Sequence, residues 1–215
     1  MKKTKQEQDE FMLTNDVAFQ CVFGKPGQEK ITKRFIERIL NIEIEDLTLD
    51  VNKRLLGEAI DDKIGRLDVK AKLSDGTRIL VEMQVARYED IEKRMLYYWS
   101  HNYIDDLKKG ESYSDLRKTI AVLIYSEDIS APKNIPKYHT KWQIREEEYS
   151  SIILTGDLEI HIIELRKFDE NKEKTEEANW LRLIKKGEID MNSKQIDKEI
   201  KEAKEERERI SAEPE

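Results

Sequence analysis

Two carboxylates in GRLDVKAKLSDGTRILVEMQ, residues 65–84, have the types and spacing for phosphate chemistry: Asp68 and Glu82. The stretch reads as two β-strands around a turn, and alternation along each strand sets which side chains share a face. A two-residue Asp75-Gly76 turn would set Val69 opposite Glu82 and mix apolar with charged residues on both faces. A three-residue loop, Ser74-Asp75-Gly76, with Gly76 left-handed, pairs Leu73 with Thr77 instead. One face then carries Leu67, Val69, Ala71 and Leu73 against Ile79, Val81, Met83 and Val85. A slip of one residue would expose that whole set, so the three-residue loop is expected.

The same register places Asp68 opposite Glu82, with Lys70 and Gln84 on the same face. Like charges opposed across a strand pair are destabilising. Protonation of one acid, a neighbouring Lys or Arg, or a divalent cation must offset them. Mg²⁺ takes one or two carboxylates together with water and substrate phosphates. Held here, it would polarise a phosphate and lower the pKa of a bound water. A solvated acidic face beside Lys70 and Lys72 accounts for the same spacing, and strand geometry does not separate the two readings.

The elements that must position this hairpin are legible on either side of it. GQEKITKRFIERIL has Ile31, Phe35, Ile36, Ile39 and Leu40 at helical spacing. IEDLTLDVNKRL reads as a strand running into the carboxylate-rich loop GEAIDDKIG. A helix is expected from Asp90 to Lys109, stopped by Gly110. TIAVLIYS, Thr119 to Ser126, is a continuous apolar and β-branched run, which suits a strand covered on both faces. SEDISAPKNIPK, with Pro132 and Pro136, is a loop. KWQIREEEY and LEIHIIEL are two further strands. The order predicts an α/β fold with a mixed central sheet flanked by helices.

The division expected is a frayed arm at 1–10, a main domain at 11–168 and a charged C-terminal helical segment at 169–215. In that last segment Trp180, Leu181 and Ile184 anchor a short helix. The tail from Ser193 has a thin seam of Ile196, Ile200 and Ala203, which is either solvated or seeks a partner, including a second copy in a homo-oligomer.

A formal net charge of −7 on 215 residues excludes nucleic-acid binding by bulk charge alone. Any such role needs a local basic surface or cations that offset the carboxylates. No apolar run is long enough to span a membrane, and MKKTKQEQDEF is not a secretory signal. Cys21 is the single cysteine, the three histidines share no metal-ligand spacing with it, and P-loop and dinucleotide patterns are absent. A cytoplasmic protein is expected. On the helix after the hairpin, Arg94, Tyr98 and His101 recur at helical spacing. Arg94 could hold a phosphate and Tyr98 stack beside it; equally, Tyr98 could be core and Arg94 border a stripe of Ile91, Met95, Trp99 and Asn102. His101 has no evident partner.

Asp68 followed a hairpin later by Glu82-Met83-Gln84 resembles the Asp…(Glu/Asp)-x-Lys core of the PD-(D/E)XK nuclease superfamily. NDVAFQCVFG, GRLDVKAKLSDGTRILVEMQ, RMLYYWSHNYIDDLKKGESY, TIAVLIYS and LEIHIIELRKF together resemble the Rpn family of recombination-promoting nucleases, also described as transposases of that superfamily. The likeness runs from about Thr14 to Phe168. It implies a restriction-endonuclease-like core and DNA cleavage dependent on Mg²⁺ or Mn²⁺. By that resemblance Asp68 and Glu82 are metal ligands, and the Met83 carbonyl could add a third oxygen. Gln84 stands where the wider superfamily has lysine, and it can orient a water or phosphate oxygen without supplying charge. Lys70, two residues beyond Asp68, could supply it. Asp16 matches a recurrent acid of the first block, although Asn15 or Asp16 could simply cap a helix. Glu29 or Glu37 could be the helix-borne acid of many superfamily members, or lie on a solvated face. The alternative reading is a nuclease fold retained as a binding protein without activity.

Overall fold

The hairpin folds in the register that its apolar face demands. The computed structural model describes residues 12–50, 68–85, 90–105, 107–126, 134–193 and 196–212. Strands β1 (Leu47–Leu49), β2 (Val69–Leu73) and β3 (Arg78–Gln84) form an antiparallel meander. Val69 pairs with Val81 and Ala71 with Ile79. Gly76 has φ +86°, and the loop closes through Leu73 N–H to Thr77 and Gly76 N–H to Leu73, at 2.8 and 2.9 Å. Only glycine adopts that conformation without the cost, about 1–2 kcal/mol, of a left-handed residue bearing a Cβ.

Three more strands, β4 (Thr119–Tyr125), β5 (His139–Trp142) and β6 (Leu158–Glu164), complete a six-stranded mixed sheet in the order β1-β2-β3-β4-β6-β5. β3, β4 and β6 run parallel, and β5 lies antiparallel at the edge. β4 is buried at every position, as its unbroken apolar run requires.

The helices are α1 (Asp16–Phe23), α2 (Glu29–Leu40), α3 (Ile91–Ile104), α4 (Glu176–Lys186) and α5 (Lys198–Ala212). On one side of the sheet α1, α2, α4 and α5 bury a large cluster against Val69, Ala71, Ile79, Val81 and Met83. Phe19, Phe23, Phe35 and Trp180 knit three of those helices, with ring centroids 4.6–6.1 Å apart. On the other side α3 packs Ile91, Met95 and Tyr98 on Leu80, Ala121, Leu123 and Tyr125. The architecture is the α/β fold with a mixed sheet expected from a restriction-endonuclease-like core.

Several boundaries differ from expectation. α3 ends at Ile104, where Leu107 N–H bonds back to the Ile104 carbonyl at 3.0 Å; Gly110, φ +94°, turns the loop beyond it. β5 starts at His139, and the chain after Trp142 leaves the sheet, with Arg145 bridging Ile153 in a small separate hairpin. The tail seam is neither solvated nor vacant. Ile200 and Ala203 are buried against the chain's own helices, and Arg38 holds Asp197 through two 2.9 Å hydrogen bonds. Residues 1–10, the GEAIDDKIG loop and residues 127–133 of the proline segment lie outside the described residues. No described helix is long and apolar enough to cross a membrane.

Candidate active site

Alternation along β3 decides where its acid points. Ile79, Val81 and Met83 enter the four-helix side, so Glu82 and Gln84 face α3 together with Leu80. There α3 presents Arg94, whose guanidinium forms an ion pair with Glu82 Oε1. The same guanidinium donates from Nε to the Tyr98 hydroxyl at 3.0 Å and lies 5.4 Å from that ring's centroid. Arg94 and Tyr98 are one helical turn apart, which is why one side chain can reach along the other. Tyr98 is thus both core and site neighbour. Of the three ways to offset Glu82, the fold supplies a neighbouring arginine.

Asp68 lies immediately before β2. Its N–H donates to the Val81 carbonyl at 3.1 Å although Val69 is the register partner of Val81. Two residues therefore meet one across the ladder, a bulge that re-aims the side chain, so Asp68 is not the cross-strand partner of Glu82 that the register alone predicts. Asp68 Oδ1 accepts from Gln20 Nε2 at 2.6 Å, and Oδ2 accepts from the Met83 N–H, also at 2.6 Å. Met83 follows Glu82, so the Asp68 carboxylate binds the peptide group that begins at Glu82. Charge-assisted bonds of this length are the strong class. Gly24 lets the end of α1 come this close: a Cβ there would stand 2.5 Å from the Asp68 carbonyl oxygen.

Both acids are 3% exposed. Burying two carboxylates costs several kcal/mol each unless partners repay it, and both sit at the carboxyl end of the parallel strands, where open α/β sheets bind ligands.

The remaining candidates separate. Gln84 is buried at the end of β3, its carbonyl accepting from Ser126 N–H at 3.1 Å. Met83 turns its side chain into the four-helix core and gives its N–H to Asp68. Lys70, paired with Leu80 in register, is half-buried; among the described residues its side chain makes no ion pair or hydrogen bond. Asp16 opens α1, capped by Asn15, whose Oδ1 accepts from Val17 and Ala18 at 2.9 and 3.2 Å. It lies one turn before Gln20. Glu37 closes the loop after α2 by accepting from Ile44 N–H at 3.1 Å and pairing with Arg34 at 2.9 Å. Glu29 stands in the first turn of α2.

Sequence reasoning missed Gln20 and a row beside Gln84. Gln20's signal was a polar side chain among Ala18, Phe19, Val22 and Phe23, all buried. The row runs Gln84–Tyr125–Glu164 in register across three parallel strands. The Tyr125 hydroxyl is buried and has no hydrogen-bond partner among the described residues; burial, then Glu92 and Glu164, push it up to about 12. Tyr125, Glu164 and Glu92 line a cavity of about 310 Å³ with Leu96 and Trp142. No single stretch could reveal this row, because strand order assembles it.

Carboxylate oxygens are the donors a hard divalent cation takes; among the described residues no cluster of three or more His, Cys, Asp or Glu could hold a metal. One or two carboxylates with water is the Mg²⁺ pattern rather than the Zn²⁺ one. A family model described as PD-(D/E)XK nuclease family transposase matches residues 13–215, and the chain belongs to that family. No curated protein and no solved structure matches it.

Proposed function

We propose that this member of the PD-(D/E)XK nuclease family transposases is a DNA endonuclease dependent on Mg²⁺ or Mn²⁺, with Asp68 and Glu82 as metal ligands. The observation that carries the reading is the burial of two acids beside the carboxyl end of β3, with Asp68 accepting from the Met83 N–H that directly follows Glu82. A bound metal would supply Lewis acidity and a water nucleophile at neutral pH. The chain's own residues do the rest. Gln20 and the Met83 N–H fix the Asp68 carboxylate, and Met83's carbonyl is a further candidate oxygen. Gln84 orients a water or a phosphate oxygen. Lys70 supplies the positive charge that Gln84 lacks. Arg94, once a cation engages Glu82, turns its guanidinium to the phosphate, with Tyr98 as its support. Asp16 stands one turn behind. The substrate is DNA, with a link to recombination or mobile elements, in the cytoplasm, and the working form could be a homo-oligomer.

Plasmid nicking with metal and with chelator tests this. Asp68→Ala and Glu82→Ala should each abolish cleavage, and activity surviving both would place it elsewhere. Lys70→Ala should slow it; cleavage at the wild-type rate removes Lys70 from the mechanism. The Glu82–Arg94 ion pair favours a second reading, a DNA- or protein-binding descendant without activity. Metal-independent DNA binding with no nicking at any metal concentration would establish that one.

A further inference from the structure

On the sheet face away from α3, four titratable groups from three elements stand in one hydrogen-bonded line. Glu159 Oε1 meets His161 Nε2 at 2.8 Å, both on β6. His161 Nδ1 meets His139 Nε2 of β5 at 2.7 Å, and His139 Nδ1 meets Glu177 Oε1 of α4 at 2.6 Å. Glu159 and His161 are buried, at 4% exposure each.

Each of these three contacts joins two heteroatoms at hydrogen-bond distance, so each needs one proton. Two neutral imidazoles bring one N–H apiece, and two ionised carboxylates bring none. Two protons cannot serve three contacts. Whichever tautomers are chosen, one contact would set two lone pairs face to face. The line therefore holds a third proton.

The surrounding charges say where it is not. Lys118 and Lys141 both reach Glu159, each at 2.9 Å. Burial pushes the Glu159 carboxyl up, but hydrogen bonds from His161, Lys141 and Lys118 outweigh it and hold it well below the usual range. Glu159 stays ionised. Burial also lowers His161's affinity for a proton, and a charged His139 lowers it further, against the pull of Glu159. A fourth proton on the line is thus opposed. On the α4 side, Glu177 accepts from the Tyr138 hydroxyl at 3.2 Å, and Glu173 also lies near that hydroxyl.

We propose that Glu159, His161, His139 and Glu177 form a one-proton clasp that fastens the edge strand β5 to β6 and α4 while it holds a single extra proton. In the unfolded chain the two imidazoles titrate independently near ~6.5. Above that pH the folded clasp keeps a proton that the unfolded chain has lost, so stability falls as pH rises. Below it the unfolded chain takes up two protons where the clasp admits one, so stability falls as pH drops. The contribution peaks between the two limbs. β5 also places Thr140 and Trp142 on the cavity beside Tyr125, so the clasp on one face holds a wall of that cavity on the other.

Nitrogen-15 NMR of the ring nitrogens in the full chain, titrated through neutrality, tests this without any variant. The expected spectrum at neutral pH shows one imidazolium charge held by the line, released as a single step on the alkaline side. Two neutral rings in the folded protein, or two independent midpoints near that of free histidine, would overturn the proposal. Denaturant unfolding against pH gives the second readout. The unfolding constant should climb by up to about tenfold per pH unit on the alkaline limb, the slope of one linked proton, and His139→Gln should flatten it. A limb of unchanged slope in H139Q would also overturn the proposal, and should that variant fail to fold, the wild-type spectrum decides alone.

Discussion

Replacing Arg94 by methionine should destabilise the metal-free protein and make its stability metal-dependent. Arg94 pairs with Glu82, whose side chain is 4% exposed, while its own is 23% exposed. Removing one partner of a buried pair costs about 3–5 kcal/mol. Solvent reaches the guanidinium, so the lower end applies, about 3 kcal/mol. For a chain of this size each kcal/mol moves Tm by about 2–4 °C, which predicts a drop of about 6–12 °C. The methionine keeps the apolar contact with the Tyr98 ring, so the loss reports charge rather than packing. A cation at Asp68 and Glu82 then takes over the role of the guanidinium. Mn²⁺ at about a hundredfold over its Kd adds about 2.7 kcal/mol to any protein that binds it. Arg94→Met, with no competing guanidinium, binds it more tightly, so its Tm rises further than that of wild type. Differential scanning calorimetry with chelator and with metal measures both effects. Equal metal-induced shifts in the two proteins, or a metal-free variant melting with wild type, would refute the reasoning that arginine and metal compete for one carboxylate.

Gln20→Leu leaves the buried Asp68 short of a 2.6 Å donor and should cost about 1–3 kcal/mol in urea unfolding, with metal-dependent nicking reduced beyond what the lost stability explains. Gly24→Ala puts a Cβ 2.5 Å from the Asp68 carbonyl oxygen; the forced shift should cost about 1–3 kcal/mol, and a variant as stable and as active as wild type would show that the approach is not needed. Glu159 has a depressed carboxyl, so its contribution is present above the ordinary carboxylate range and lost as pH falls through and below it. The stability gap between wild type and Glu159→Gln should accordingly be widest near neutrality and close in acid, as read by unfolding at a series of pH values.

The hairpin was legible because its information is local. Alternation of Val69 and Ala71 with Ile79 and Val81 fixes the register, and Gly76 fixes the loop, so the acid on β3 could be assigned a face before any packing was known. β4 was legible for the same reason, its apolar run needing cover on both sides. The tail was misjudged because its seam is thin: Ile200 and Ala203 gain meaning only from α1 and α2, which lie more than 150 residues earlier in the chain. Hydrophobic period shows that a helix has an inner side, and says nothing about which neighbour fills it.

What the amino-acid order settled by itself was the strands β2, β3, β4 and β6, the pairing of β2 with β3, and the presence of two acids that such a pairing should resist. Tertiary structure decided what each acid touches. The bulge at Asp68 and the approach of Gly24 turn one carboxylate toward Gln20 and the Met83 N–H, while α3 delivers Arg94 to the other. The row Gln84–Tyr125–Glu164 and the clasp from His161 to Glu177 likewise arise from strand order and layer packing. Charge at a buried site is governed by contacts within a few ångström, and those contacts come from segments that only the completed sheet brings side by side.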